Sequence, residues 1–372
     1  MPCSDEAAAQ AGGLADAADA NPMGLAGFAF VEFTDPEPER LGALFAQLGF
    51  VHVATHRDGG IRHYAQGDIH FLLNLEVEGP AARFRERHGP SASAMAFRVR
   101  DAARARDLAL LRGAHALAGK DGALAAALPA IRGIGGAPLY FLEGEVERAL
   151  AALGFVPVAG AAPADRSVGL STIDHLTHNL RRGQMAAWAD FYARVFGFRE
   201  IRHFDIRGAR TGLMSKAMVA PDGKIRIPLN ESQDDSSQIE EFLRAYNGEG
   251  IQHVALRTDD ICATVDRLRA NGVRFQETPD SYYDRIDSRL PGHGTDIAAL
   301  RARGILIDGA PEAGGGLLLQ IFTRPMIGPI FFEIIERRGC EGFGEGNFQA
   351  LFESLERDQI RRGVIAAEGP AA

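Results

Sequence analysis

VALRTDD, Val254–Asp260, repeats in outline an earlier segment of the chain, MAFRVRD at Met95–Asp101. Both read as a strand, and both are followed by a helix-like stretch, ICATVDRLRANGV and ARARDLALLRGA respectively. Working outward, GFAFVEF, ERLGALFAQLGF and VHVATH in the first half answer in order to STIDHLTHNL, MAAWADFYARVFGF and REIRHFDI in the second. PLYFLEG at Pro138–Gly144 likewise answers to PIFFEII at Pro329–Ile335. A strand, a helix and further strands therefore recur four times, which predicts an α+β protein of two open barrels, each built from paired βαβββ modules, followed by a C-terminal helix.

The Ala-rich stretch 1–23 reads as a disordered tail. The first barrel follows at 24–155, and the Ala, Pro and Gly of VPVAGAAPADRSVG make 156–169 a linker. The second barrel spans 170–372 and carries an insertion whose TDIAALRARG predicts a helix closed by Gly304. FQALFESLERDQIRRG predicts the terminal helix, with Phe348, Leu351, Phe352 and Leu355 on one face.

A chain of 372 residues, 46% hydrophobic, can bury two cores. Its net charge of -9 and lack of basic runs argue against nucleic acid. Cys3, Cys262 and Cys340 are scattered singly, which fits a reducing cytoplasm, and no apolar run has the length of a membrane span.

Glu333 stands inside the apolar run FFEII, where an unpaired carboxylate is costly to bury. His175 in IDHLTHN and His253 in GIQHVAL are spaced almost evenly from it, since 253 − 175 = 78 and 333 − 253 = 80. Singly, such residues are most often core or surface groups; together, two histidines and a carboxylate on strands match the facial triad of non-heme Fe(II), which leaves three coordination positions open. His178, three residues from His175, points to the other face of a regular strand and is excluded, whereas Thr177, Ala255, Phe331 and Ile335 share the ligand faces. Aligning the repeats puts Ala94 opposite His253 and Leu142 opposite Glu333, and GFAFVEF has no histidine, so only the second barrel is expected to bind metal. Trp188, Tyr192 and Phe196 read as core.

IDHLTHN, IRIPLNE, GIQHVAL, LLLQIFT, FFEII and GFGEGNF, in this order, resemble the 4-hydroxyphenylpyruvate dioxygenase family of the vicinal oxygen chelate superfamily. The resemblance implies Fe(II) held by His175, His253 and Glu333. It implies chelation of the substrate's keto acid and oxidation by dioxygen to homogentisate and carbon dioxide, in tyrosine and phenylalanine catabolism. It places Gln320, Phe322 and Asn347 in the catalytic wall. Ser215, Asn230, Gln238, Gln252, Phe331, Phe343 and Phe348 become substrate contacts, although Gln252 would alternate away from His253 on a regular strand. Pro228 and Phe348 look like the ring-hydroxylating branch and not like 4-hydroxymandelate synthase, and a non-catalytic binding protein of the same fold is the remaining alternative. A cytoplasmic homo-oligomer without membrane or nucleic-acid partners completes the expectation.

Overall fold

The computed structural model describes residues 20–119, 121–162, 166–207, 212–344, 346–347, 349, 359–360 and 362–363. Most of the expected N-terminal tail and of the C-terminal helix, Phe348 included, lies outside the described residues. Asn21 already exchanges two hydrogen bonds of 2.9 Å with the backbone of Leu25, and Met23 is buried.

The strands form two curled eight-stranded sheets. The first comprises β1 Leu25–Thr34, β2 Val51–His56, β3 Ile61–Gln66, β4 Ile69–Asn74, β5 Ser91–Val99, β6 Ala130–Arg132, β7 Pro138–Glu143 and β8 Phe155–Pro157. The second comprises β9 Leu170–Leu180, β10 Arg199–Arg207, β11 Gly212–Val219, β12 Arg226–Ser232, β13 Gly250–Thr258, β14 Leu306–Gly309, β15 Leu317–Phe322 and β16 Phe331–Arg338. Their orders are β6-β7-β5-β1-β4-β3-β2-β8 and β10-β11-β12-β9-β13-β16-β15-β14. Reversing the first and offsetting it by one strand superposes β1 on β9, β5 on β13 and β7 on β16, and leaves β8 and β14 as the unmatched edge strands. The fourfold repeat is therefore the architecture.

The two segments that opened the comparison are β5 and β13 with their helix starts. Asp101 accepts from the Arg104 amide and Asp260 from the Ala263 amide, capping the helices Ala102–Leu111 and Ile261–Ala270. The helix expected in the insertion is Ile297–Arg303, capped by Asp296 and closed by Gly304 at φ 70.

Strand alternation sorts the core into two faces. Phe33, Phe71, Phe97 and Phe141 of the first sheet pack against Phe332, Phe196 and Phe198 of the second half, so one apolar core joins both halves. The opposite face of the first sheet gathers Phe30, Ala94, Ala96, Tyr140 and Leu142 around its own small core. The matching face of the second sheet carries His175, His253 and Glu333.

The hydrogen-bond register refines the comparison between the halves. Ala96 pairs with Tyr140 across β5 and β7, and Ala255 pairs with Glu333 across β13 and β16. Tyr140, and not Leu142, therefore occupies the place of Glu333. The prolines that anchored the sequence match do not share a register, but the offset is two residues, so both candidates lie on the inner face. Phe30 opposes Ala96 as His175 opposes Ala255, and Ala94 stands where His253 does. Phenylalanine, alanine and tyrosine fill in one barrel the positions of the three polar residues in the other.

Candidate metal centre and active site

Three neighbouring strands bring the polar residues together: His175 from β9, His253 from the adjacent β13 and Glu333 from β16 beyond it. All three are buried. His175 Nε2 lies 3.3 Å from His253 Nε2 and 3.2 Å from Glu333 Oε2, and His253 Nε2 lies 3.3 Å from the same oxygen. Ligands about 2.1 Å from a divalent ion and at right angles to one another would be about 3.0 Å apart, so this triangle has the size an ion needs. Among the described residues these are the only histidine, cysteine and carboxylate side chains grouped in this way. His178 is directed elsewhere as expected, with Nε2 2.8 Å from the Tyr192 hydroxyl, and burial pushes its pKa down to about 3.

Each ligand is held by a neighbour. The register of β9 on β13 shifts three times, and two of the shifts flank the ligands, leaving Asp174 as the extra residue between Ile173 and His175 on one strand, and Gln252 between Ile251 and His253 on the other. Such bulges break the period-two alternation. Gln252, expected to point away, thereby reaches His253 Nδ1 with its amide oxygen at 3.0 Å, and Asp174 Oδ1 lies 2.9 Å from His175 Nδ1. An ionised carboxylate only accepts, so Nδ1 of His175 carries a proton and Nε2 is the nitrogen placed to ligate an ion in the triangle. Gln320 Nε2 donates to Glu333 Oε1 at 2.6 Å. The first barrel has the same two bulges, at Ala29 and Ser93, without the ligands.

Asp174 and Arg337 were not singled out in the sequence. Arg337 grips Asp174 with Nε at 2.7 Å and Nη2 at 2.8 Å, and with Nη1 it donates to the carbonyls of Cys340 (3.0 Å) and Gly342 (2.6 Å). One buried ion pair thus fixes both His175 and the loop bearing Phe343, whose ring centroid lies 5.6 Å from that of His175. The acid preceding His175 was visible in the sequence, but only the bulge turns it toward the ring. Burial alone would raise the Asp174 carboxyl; Arg337 and His175 overcome this and hold it well below the usual range. Burial likewise opposes ionisation of Glu333, and the two histidines bring it down to about 2. Burial and the charge of His175 lower His253, whereas His175 is raised against its own burial by Glu333 and Asp174.

A cleft opens on the tripod, lined by Thr177, Phe204, Ser215, Pro228, Gln320, Phe322 and Phe343. Ser215 Oγ and Asn230 Oδ1 are buried on paired strands with no hydrogen-bond partner among the described residues. Phe331 stacks on His253 at 4.8 Å and, with Gln252 and Gln238, lines an adjoining cavity of 640 Å³. Gln238 begins the helix Gln238–Ala245. Asn347 is buried and donates to Gln320 Oε1 at 2.9 Å. Ala255 and Ile335 lie on the expected face but pack with Leu318 and Cys340 instead of lining the cleft.

Residues 20–155 match the family model described as hydroxyphenylpyruvate dioxygenase, N-terminal, and residues 172–285 match that of the glyoxalase/bleomycin resistance protein/dioxygenase superfamily. A 4-hydroxyphenylpyruvate dioxygenase from Pseudomonas aeruginosa is 54% identical over 348 residues, which are 93% of this chain and 97% of that protein. The chain belongs to the 4-hydroxyphenylpyruvate dioxygenase family. Another member, from Legionella pneumophila, is 50% identical over 93% of this chain and 98% of its own, and the hemolysin VllY of Vibrio vulnificus is 55% identical over 93% and 98%. A solved structure of a mutant 4-hydroxymandelate synthase from Streptomyces coelicolor aligns with a TM-score of 0.77 at 29% identity, covering 91% of this chain and 100% of that one. The dioxygenase family thus accounts for both barrels, and no helix of the described residues is long and apolar enough to cross a membrane.

Proposed function

We propose that this chain is an Fe(II)-dependent dioxygenase converting 4-hydroxyphenylpyruvate and O₂ to homogentisate and CO₂ in tyrosine and phenylalanine breakdown. The observation that carries the reading is the buried triangle of His175, His253 and Glu333 at the base of an aromatic cleft, in a chain more than half identical to a dioxygenase of that name. Iron held there supplies the activation of dioxygen and the electron transfer, with the α-keto acid of the substrate as the source of the remaining electrons.

The protein's own groups bind, orient and exclude water. Gln252 and Asp174 keep Nδ1 of each histidine protonated, so that Nε2 faces the metal position. Phe331 and Phe343 cover the two imidazoles, and Phe322 stands edge-on to Phe331, which keeps water from the reacting face. Ser215 and Asn230, each with an unpaired buried oxygen, offer hydrogen bonds to the hydroxyphenyl end, where the absence of a partner costs about 1–3 kcal/mol apiece. Gln238, with its amide oxygen buried and unpaired, serves the same end from the adjoining cavity. Phe348 belongs to the same wall on the family resemblance alone. The reading includes a divided chain, with barrels at 24–155 and 170–372 across a linker at 156–169; the start of β9 at Leu170 supports it, while β8 carries the first sheet two residues further, to Pro157. A cytoplasmic homo-oligomer completes it, the singly scattered cysteines speaking for the location.

Anaerobic loading with Fe(II) and 4-hydroxyphenylpyruvate, admission of air and chromatography of the product test the reading. Homogentisate is the expected product, and His175→Ala, His253→Ala or Glu333→Ala should abolish it while the fold persists. The likeness to 4-hydroxymandelate synthase favours a second reading, for which hydroxymandelate would be the product. Neither product, with no iron bound, would return the chain to the ligand-binding class.

A further inference from the structure

The insertion of the second barrel reaches back to the metal ligands. Tyr282, in the short helix Asp280–Tyr283, has its hydroxyl 2.8 Å from the Ile307 amide, 2.8 Å from Arg289 Nη2 and 2.7 Å from Asn347 Oδ1. Asn347 Nδ2 donates to Gln320 Oε1 at 2.9 Å, and Gln320 Nε2 donates to Glu333 Oε1 at 2.6 Å.

The directions in this series follow from its ends. Glu333 is ionised and only accepts, so Gln320 turns its amide nitrogen toward it and its oxygen toward Asn347. Asn347 must then present its nitrogen to Gln320, which leaves Oδ1 in need of a donor. The Tyr282 hydroxyl has its two lone pairs facing the Ile307 amide and Arg289, and its single hydrogen is available for Asn347. The competing acceptor, the Ile307 carbonyl at 2.8 Å, already receives Arg289 Nη2 at 2.5 Å. A tyrosine outside the cleft thus sets the orientation of two amides and, through them, holds Oε1 of Glu333. Oε2 is left facing both histidines at 3.2 and 3.3 Å.

We propose that Tyr282 is a positioning residue of the metal centre, acting through Asn347 and Gln320. This rests on the reading of the triangle as a metal site and adds a dependence that the triangle alone does not imply. Glu333 is correctly aimed only when the segment at Gly346–Asn347 is seated against the insertion. The Gly346 amide, held by Asp308 Oδ2 at 2.9 Å, is part of that seat.

The test uses the full chain titrated anaerobically with Co(II), reading both the dissociation constant and the visible ligand-field bands. Partners in direct contact with a metal ligand change affinity about 10- to 100-fold, so Tyr282→Phe, two bonds further out, is expected to weaken Co(II) binding about 3- to 10-fold and to perturb the bands. Asn347→Ala should do at least as much, and the double variant no more than Asn347→Ala alone, because the two act in series. Tyr283→Phe, which removes the neighbouring hydroxyl from a ring packed under Arg301, is the matched control and should leave both readouts unchanged. Unaltered affinity and bands in Tyr282→Phe, additive effects in the double variant, or an equal effect of Tyr283→Phe would overturn the proposal. If the unaltered chain bound no Co(II), the metal reading itself would fall and the relay with it.

Discussion

Glu333 poses the physical problem of this molecule at the scale of one residue: a carboxylate at the centre of an apolar strand, ionised although buried. Its environment answers with two imidazoles and one amide, all of them positioned from behind. That support can be weighed by removing it. Gln252→Ala takes away the acceptor on His253 Nδ1 and leaves no charge stranded, so it should weaken divalent-metal affinity about 10- to 100-fold with little change in stability. Asp174→Asn should weaken the metal comparably. It should also destabilise the protein by about 3–5 kcal/mol, because Arg337 is left buried without its counter-charge. Chelator competition measures the first effect and urea unfolding the second. Equal stability of the two variants would show that the Arg337 pair is not a buried ion pair in solution.

At the scale of the element, the residues that bind could be read from the sequence and the residues that orient could not. His175, His253 and Glu333 are each a polar residue on an apolar strand, a contrast that alternation makes visible. Asp174 and Gln252 are hidden because a bulge is created by pairing with another strand, and period two assigns both side chains to the wrong face. Tyr282 is hidden for a related reason: it lies 51 residues before Glu333 in an insertion with no periodic pattern, and only the folded chain brings it to Asn347. The glycines of GFGEGNF were legible in kind. Gly344 has φ +70, and a side chain there would run into the Gln320 amide that holds Glu333. Gly344→Ala should therefore cost about 1–2 kcal/mol of stability from the left-handed backbone alone. It should also lower turnover by displacing Gln320; thermal unfolding and the rate of product formation together check this, and full activity would mean that the loop accommodates a methyl without moving Gln320.

Over the whole molecule, duplication supplied the fold twice and the chemistry once. Both barrels keep the same pair of bulges, yet the first closes its interior with Phe30, Ala94 and Tyr140 and retains a buried carboxyl, Glu32, in the place of Thr177. Burial raises Glu32 to about 7 in spite of hydrogen bonds from Ser93 Oγ at 2.7 Å and Asn74 Nδ2 at 3.3 Å, with Glu76 adding repulsion. The ordinary value of 4.5 applies to the unfolded chain, so between about pH 4.5 and 7 the folded state binds a proton that the unfolded state has lost. Stability contributed by this group is then complete below pH 4.5, falls as pH rises through that interval and is lost above it, by about 3 kcal/mol in all. Glu32→Gln replaces the neutral acid with an isosteric amide and should remove that slope. Urea unfolding at pH 5 and pH 8 should show the variant gaining relative to the unaltered chain at pH 8 and not at pH 5, with Co(II) affinity unchanged because the metal centre is in the other barrel. An equal difference at both pH values would mean that Glu32 is ionised in the folded protein. The first barrel would then hold a compensated charge and not the protonated acid that its apolar surroundings require.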